Sequence, residues 1–373
     1  MRLWVVSTSY PTKPGESVNA GVVARDLALA LRDRGHALTV VTPRKPDPTV
    51  FDQGLTGVEL AWFRPSVAMA DLKLRRPVDA LRAATLLADG YRRVRRQARR
   101  APPDGIIAVW GLPSGLLARA ASSVSGAPYC VWLLGSDVWR APDLPGGVAA
   151  LRWALAGARA TFANSHDLVE RAQALTGSVV GYLPAARRLP EGERRPPSTD
   201  LAYVGRLHPN KGPDVLVDAL SVLARRGSAP LTRMYGTGEM DAPIGARIRD
   251  CDLQGSVTIE GPIDAAPLAE MLRSSRFLVI PSRIDSTPIV LGDAIQARVP
   301  VIVTDVGDTG ALVRRFDLGW VVPPGDPVAL ADALAEALAG PGFRGDRLPD
   351  WEGAAELISP DTAVGRFLEV LAD

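Results

Sequence analysis

Two runs of alternating strand and helix, separated by a stretch with neither period, constrain this chain most. In the first run, residues 3–7 are a short apolar segment of strand type, 22–34 carry helical periodicity and 37–42 return to strand. Residues 105–109, 114–123, 129–134, 151–156, 160–163 and 166–175 continue the alternation, and Gly35 ends the first helix as a C-terminal glycine should. Between 184 and 199 the period gives way to Arg187, Arg188, Pro190, Arg194, Arg195, Pro196 and Pro197, which reads as a linker. The second run follows with strands at 200–204, 231–235, 257–260, 277–280 and 301–304, and helices at 214–225, 267–274, 288–297 and 328–338. Such alternation predicts parallel sheets covered on both faces, here in two α/β domains over 1–185 and 199–359. A chain of 373 residues is long enough for two cores. In open sheets of this kind ligands sit at the carboxyl ends of strands, so a ligand shared by both domains is expected in a cleft between them.

The charge balance narrows the partners. Forty-three Lys and Arg against forty-one Asp and Glu give a net charge of +2, so no nucleic-acid partner is expected. Cys130 and Cys251 lie far apart without metal-binding spacing, and they are expected to be free thiols in a reducing cytosol. The opening MRLWVVS has too short an apolar run for a secretory leader, and no stretch approaches the length that crosses a bilayer. A cytoplasmic protein is expected. One local exception is residues 73–100, with ten Lys or Arg against Asp79 and Asp89. This stretch is either a solvated helix face or a surface that docks on anionic lipid, with Leu81, Leu86, Leu87, Tyr91 and Val94 as an apolar stripe.

Two loops carry the chemistry. The strand ending in Gly205 is followed by Arg206 and, five residues later, Lys211, before Gly212 and a helix. A guanidinium fork and an ammonium on one loop can hold the same anion, and a diphosphate fits both. Further on, Pro281-Ser282-Arg283-Ile284-Asp285-Ser286-Thr287-Pro288 leads into a helix bearing Asp293. Thr287 is expected as N-cap and Pro288 as first helical residue, which leaves free amides and the positive end of the helix dipole beside Asp285. Gly236-Thr237-Gly238 follows a strand but lacks the third glycine of a dinucleotide fingerprint, and reads as a plain turn.

Taken together, Gly-Arg-Leu-x-x-x-Lys-Gly, Pro-Ser-Arg-x-Asp with a second Asp eight positions later, and Val-Pro-Val-Ile-Val-Thr-Asp-Val-Gly resemble glycosyltransferase family 4. The segments Val321–Pro327, Arg34-Gly35-His36, Gly135-Ser136-Asp137-Val138 and Ala163-Asn164-Ser165 belong to the same resemblance, which spans nearly the whole chain in order. It implies the GT-B fold, two Rossmann-like α/β domains facing a central cleft, the first on the acceptor side and the second binding a nucleotide sugar. A C-terminal helix near 360–373 would pack back on the first domain. It further implies transfer of a sugar from a nucleotide-diphosphate donor to a hydroxyl acceptor with retention of configuration, the acceptor being a glycan, a lipid-linked group or a small molecule. No cofactor and no metal are implied, because Arg206 and Lys211 would neutralise the leaving diphosphate.

Position by position, the resemblance puts Asp285 on the donor sugar, Asp293 on the ribose, and Asp137 near the donor sugar or the acceptor. Backbone amides of Thr287, Ile289 and Val290 would face the phosphates, with Gly205, Ser286 and Gly261 in the same donor site. Gly21 would admit the donor close to the backbone. The chain departs from the family at several points. Both acids are Asp where the family has Glu, Leu134 replaces a histidine, Ala311 falls where a Glu is usual, and Tyr182-Leu183-Pro184-Ala185 replaces an Asn-Gly-Val-Asp segment. A catalytically weak or inactive homologue that binds a nucleotide sugar or a partner, and a sugar-nucleotide epimerase, are the alternatives these departures leave open.

Overall fold

The computed structural model describes residues 1–11, 21–43, 55–60, 76–340 and 348–372, with backbone alone at 57–60. The chain forms two compact units, one of Met1–Ala185 with Pro360–Asp373 and one of Ala186–Ser359.

The first unit is a seven-stranded sheet in the order β3-β2-β1-β4-β5-β6-β7. Its strands are β1 Arg2–Ser7, β2 Ala37–Pro43, β3 Leu55–Leu60, β4 Gly105–Val109, β5 Tyr129–Leu133, β6 Ala160–Ala163 and β7 Gly181–Tyr182, paired in parallel throughout. The central strands are continuous apolar runs because both faces are covered, and Leu3, Val5, Val6, Ile106 and Ile107 are all within 1% of full burial. The connecting helices are α1 Gly21–Asp33, α2 Pro77–Arg100, α3 Leu116–Ser125, α4 Ser136–Trp139, α5 Gly147–Leu155 and α6 His166–Thr176.

Helix α2 modifies the reading of the basic stretch. Leu86 and Val94 are fully buried in the unit's core, so they are not part of an outward apolar stripe. The large apolar side chains that α2 exposes are Val78, Leu81 and Tyr91. Lys73 and Arg75 lie outside the described residues.

The second unit is a six-stranded parallel sheet in the order β10-β9-β8-β11-β12-β13. In chain order its elements are β8 Thr199–Val204, α7 Pro213–Arg225, β9 Thr232–Tyr235, α8 Asp241–Asp250, β10 Val257–Gly261, α9 Ala265–Arg273, β11 Ser275–Ile280, α10 Ile289–Gln296, β12 Val301–Thr304, α11 Thr309–Arg315, β13 Gly319–Val322, α12 Pro327–Ala339 and α13 Trp351–Leu357. The order reverses between β8 and β11. This is the topological switch point, where the loops leaving two adjacent strands turn to opposite sides and open a crevice.

Residues 186–198 are not a free linker. Ala186 and Leu189 are buried in the second unit's core, and Arg194 donates to the carbonyls of Leu272 and Ser275 at 3.1 and 2.8 Å. Arg195 pairs with Glu270 at 2.6 Å. Arg194, which looks solvated in the sequence, thus satisfies one carbonyl in the last turn of α9, the pole of the helix that favours cations, and one at the start of β11. The last helix, α14 Pro360–Ala372, belongs to the first unit, where the Phe367 ring meets Trp132 and Phe162 edge-on, each at 5.5 Å between centroids.

Candidate active site in the second unit

Because β8 and β11 are neighbours, loop 205–212 and loop 281–288 meet at their carboxyl ends although some 70 residues separate them (Lys211 and Asp285 are 74 apart). Their backbones touch. Gly212 has φ +63°, and a Cβ on it would stand 2.0 Å from the Pro281 carbonyl oxygen, so only glycine fits. Arg283 binds the loops together. Its amide donates to the Asn210 carbonyl at 2.7 Å, and its guanidinium forks onto both oxygens of Asp214 at 2.7 and 2.6 Å and reaches the Pro209 carbonyl at 3.0 Å.

The cation loop rests on a bed of glycines. Gly236, at φ +145°, would place a Cβ 1.8 Å from the Gly205 carbonyl, and one at Gly238 would fall 2.2 Å from that of Leu207. Leu207 also donates to the Thr237 carbonyl at 3.0 Å. The Gly-Thr-Gly turn therefore exists for close approach of the neighbouring loop. Gly261, at φ +75°, accepts from the Gly236 amide at 2.7 Å and has open space where a side chain would be. Beneath the loop, the Tyr203 hydroxyl donates to the Arg206 carbonyl at 2.9 Å. Burial, with the Asp285 and Asp214 charges adding to it, pushes that phenol far up, so it stays protonated and keeps donating. His208 turns inward on its own loop, its Nδ1 accepting from the Asn210 amide at 3.1 Å.

Lys211 and Asp285 come together. Lys211 Nζ donates to Asp285 Oδ2 at 2.5 Å, Ser282 Oγ donates to the same oxygen at 3.1 Å, and the Ser286 amide donates to Oδ1 at 3.1 Å. Arg206 is exposed, and no side-chain partner of its guanidinium is found among the described residues. The β12 end supports the acid loop from below. Thr304 Oγ1 donates to the Ser282 carbonyl at 2.5 Å, and a Cβ on Gly307 would lie 2.3 Å from the Ser286 carbonyl.

Helix α10 begins one residue later than the sequence suggests. Pro288, extended at φ −66° and ψ 133°, occupies the cap position, and no side chain caps the helix. Thr287 is not the N-cap; it is buried, and its Oγ1 finds no partner among the described residues. The half-buried residues Ile289 and Val290 open the helix, so their N–H groups are among those an α-helix leaves without internal partners.

Three other sequence candidates occupy different places. Asp293 is wholly buried, with Arg187 Nε donating to Oδ1 at 2.7 Å and Arg187 Nη2 to Oδ2. Both its oxygens are engaged inside the second unit, which does not suit the ribose contact expected of it. Burial pushes its carboxyl up and the Arg187 guanidinium draws it back. Nothing in the sequence pairs residues 106 apart in this way. Asp137, in the first unit, is likewise buried and accepts from the backbone amides of Gly111 at 2.6 Å and Gly135 at 2.9 Å. It ties the loops after β4 and β5 together instead of presenting its carboxylate outward. Gly21 begins α1, and a Cβ there would meet Ser9 Oγ at 2.8 Å, so its smallness answers to Ser9; residues 12–20 beside it lie outside those described.

Residues 198–340 match the family model for glycosyl transferases group 1, and residues 20–180 match that for a glycosyl transferase 4-like domain. Among curated proteins, TuaC of Bacillus subtilis, assigned as a glycosyltransferase of teichuronic acid biosynthesis, is 26% identical over 90% of this chain and 87% of its own. Alpha-D-kanosaminyltransferase of Streptomyces kanamyceticus is 31% identical over 46% of this chain and 42% of its own. Among solved structures, sucrose-phosphate synthase of Thermosynechococcus elongatus superposes with a TM-score of 0.81 at 18% identity, covering 100% of this chain and 98% of its own. Anabaena HepE in complex with UDP gives 0.71 at 16% identity, covering 100% of both chains. With its two parallel-sheet α/β units and its matches along both of them, the chain belongs to the group 1, family 4-type glycosyltransferases of the GT-B fold.

Proposed function

We propose that this protein transfers a sugar from a nucleotide-diphosphate donor to a hydroxyl acceptor, with retention of anomeric configuration and without a metal. The observation that carries the reading is the Lys211–Asp285 pair at 2.5 Å beside the start of α10. It places a cation, a carboxylate and unpartnered helix amides at one switch point, which suits a ligand with anionic and hydroxylic parts in sequence. Lys211 and Arg206 bind the diphosphate and stabilise the charge that grows on it as the sugar–phosphate bond breaks; one such preorganised donor contributes about 2.7–4 kcal/mol. Asp285, held by Ser282 and the Ser286 amide, accepts from hydroxyls of the donor sugar. The acceptor oxygen attacks the face from which the diphosphate leaves. The Lys211 ammonium, held by Asp285, and the Arg206 guanidinium take the part that a metal ion would otherwise play. The UDP bound to Anabaena HepE supports a nucleotide donor by fold alone.

The acceptor is a glycan, a lipid-linked group or a small molecule. The enzyme works in the cytoplasm and meets the anionic inner face of the membrane through α2, a reading supported by six arginines and no acid from Gly90 to Arg100. Among the described residues no helix is long and apolar enough to cross a membrane.

Calorimetry and product analysis with UDP-, GDP- and dTDP-sugars test the proposal. Binding of at least one donor, with hydrolysis or transfer, is expected; failure of every donor to bind overturns it. The engagement of Asp293 by Arg187 favours one second reading, a catalytically weak homologue that binds the nucleotide sugar. Tight donor binding without hydrolysis or transfer to any acceptor selects it.

A further inference from the structure

His208 stands between the two cations of loop 205–212, and both nitrogens of its ring face a partner. Nδ1 accepts from the Asn210 amide at 3.1 Å and so caps the short 3₁₀ turn Pro209–Lys211, while Nε2 lies 3.4 Å from Glu239 Oε1. A ring nitrogen that accepts carries no proton, so this is the neutral Nε2–H tautomer, with its proton directed at the Glu239 carboxylate. The capped turn is also where the two site loops join. Lys211 closes it, its amide donating to the His208 carbonyl at 2.8 Å, and the Asn210 carbonyl accepts the Arg283 and Ile284 amides of the acid loop at 2.7 and 3.2 Å. Of the other charged groups around it, Asp241 accepts from the Gly238 amide at 2.8 Å, Arg283 is forked onto Asp214, and Lys211 is held by Asp285. Arg206, two residues before the ring, is exposed.

We infer that His208 is a positioning residue for Lys211, and that protonation of its ring releases the turn that carries the lysine. Its effect on turnover rests on the transferase reading above. An imidazolium has a proton on each nitrogen and no lone pair, so Nδ1 would then face the Asn210 N–H donor to donor. Glu239 holds the Nε2 edge in either charge state, so the change falls on Nδ1 and the cap is lost. The turn loses the bond that sets its first residues, and the Asn210 carbonyl loosens its hold on the acid loop. Because both its nitrogens are engaged, the ring is not itself a phosphate ligand; it acts through the lysine. Of the three basic side chains on this loop, Arg206 and Lys211 serve as cations and His208 serves as an acceptor, a role it has only while uncharged. Imidazole is the side chain that changes charge between about pH 5 and 8. An asparagine at this position would cap the same turn with an oxygen that does not titrate, so the choice of histidine makes the placing of Lys211 depend on pH.

Nitrogen NMR of the imidazoles in the full chain tests the cap without reference to any donor, and a protein with three histidines is assigned by single substitutions. At about pH 8 the His208 ring is expected as the Nε2–H tautomer, and on acidification the Asn210 amide signal should move with the same midpoint as the ring. The Nδ1–H tautomer, or an Asn210 amide that ignores the titration of the ring, overturns the inference whatever the transfer assays give. With the best nucleotide-sugar donor, kcat/KM of the native chain should fall between about pH 8 and 5. His208→Asn should flatten that fall and stay within roughly threefold of the native value at the alkaline end, whereas His208→Ala should be roughly fivefold lower there, the usual scale of a lost cap. An acid limb of the same size in the native chain and in His208→Asn overturns the link to Lys211. Absence of turnover at every pH sinks the transferase reading instead, and the ring and amide signals still decide the cap.

Discussion

Asp285 and Asp293 lie eight residues apart on the same segment, yet their surroundings give them different chemistry. Asp285 has a lysine partner that is about one-third exposed, so the pair can exchange its bond for a ligand's. Lys211→Ala should therefore lower kcat by at least roughly tenfold, and by up to about a thousandfold if the whole electrostatic contribution is lost, with a smaller change in donor affinity. Steady-state kinetics with the best donor check this, and unchanged kcat removes Lys211 from the reaction. Asp293 is sealed against Arg187. Arg187→Leu strands a buried carboxylate and should destabilise the fold by about 3–5 kcal/mol, whereas Arg187→Leu/Asp293→Leu should recover most of that loss. Denaturant unfolding of the three proteins distinguishes a structural pair from one that donor binding opens.

Among elements, the two loops at the switch point depend on glycines as much as on charges. Gly236→Ala would drive a methyl into the Gly205 carbonyl and displace the cation loop. A shift of about 1 Å there should cost on the order of a hundredfold in kcat/KM, with secondary structure retained by circular dichroism. Arg283 and Asp214 link the acid loop to α7, and they give the fold a pH signature. Partial burial pushes the Asp214 carboxyl up, but the paired bonds and charge of Arg283 outweigh it and hold the group below its ordinary range. A folded value below the unfolded one, about 3.9, means that this stabilisation is present above that pH and is lost as pH falls through the folded value. Thermal melts should then show Asp214→Asn less stable than the native chain at pH 7, with the two curves converging in strong acid. Parallel curves over the whole range would rule out the linkage.

Over the molecule as a whole, the local signals were those the sequence could carry. Apolar runs such as 301–304 and the periodic stretch 214–225 fix strand and helix because each pattern depends on neighbours within a few residues. The order of those elements and the loop motifs fix the GT-B class. Arg206, Lys211 and Asp285 stand out because strand-end loops concentrate ligand chemistry. Other features depend on partners distant in sequence. The 186–198 segment has a linker's composition, and only packing against α9 and β11 makes its arginines structural. Leu86 and Val94 resemble an apolar stripe until α2 lies on its sheet. The sequence by itself determined two parallel α/β units and the residue types of a diphosphate loop, since periodicity and turn chemistry are local properties. The tertiary structure alone decided that β8 and β11 are adjacent, that Lys211 meets Asp285, and that Asp293 and Asp137 face inward, because burial and ion pairing are settled by whichever side chain folding brings alongside.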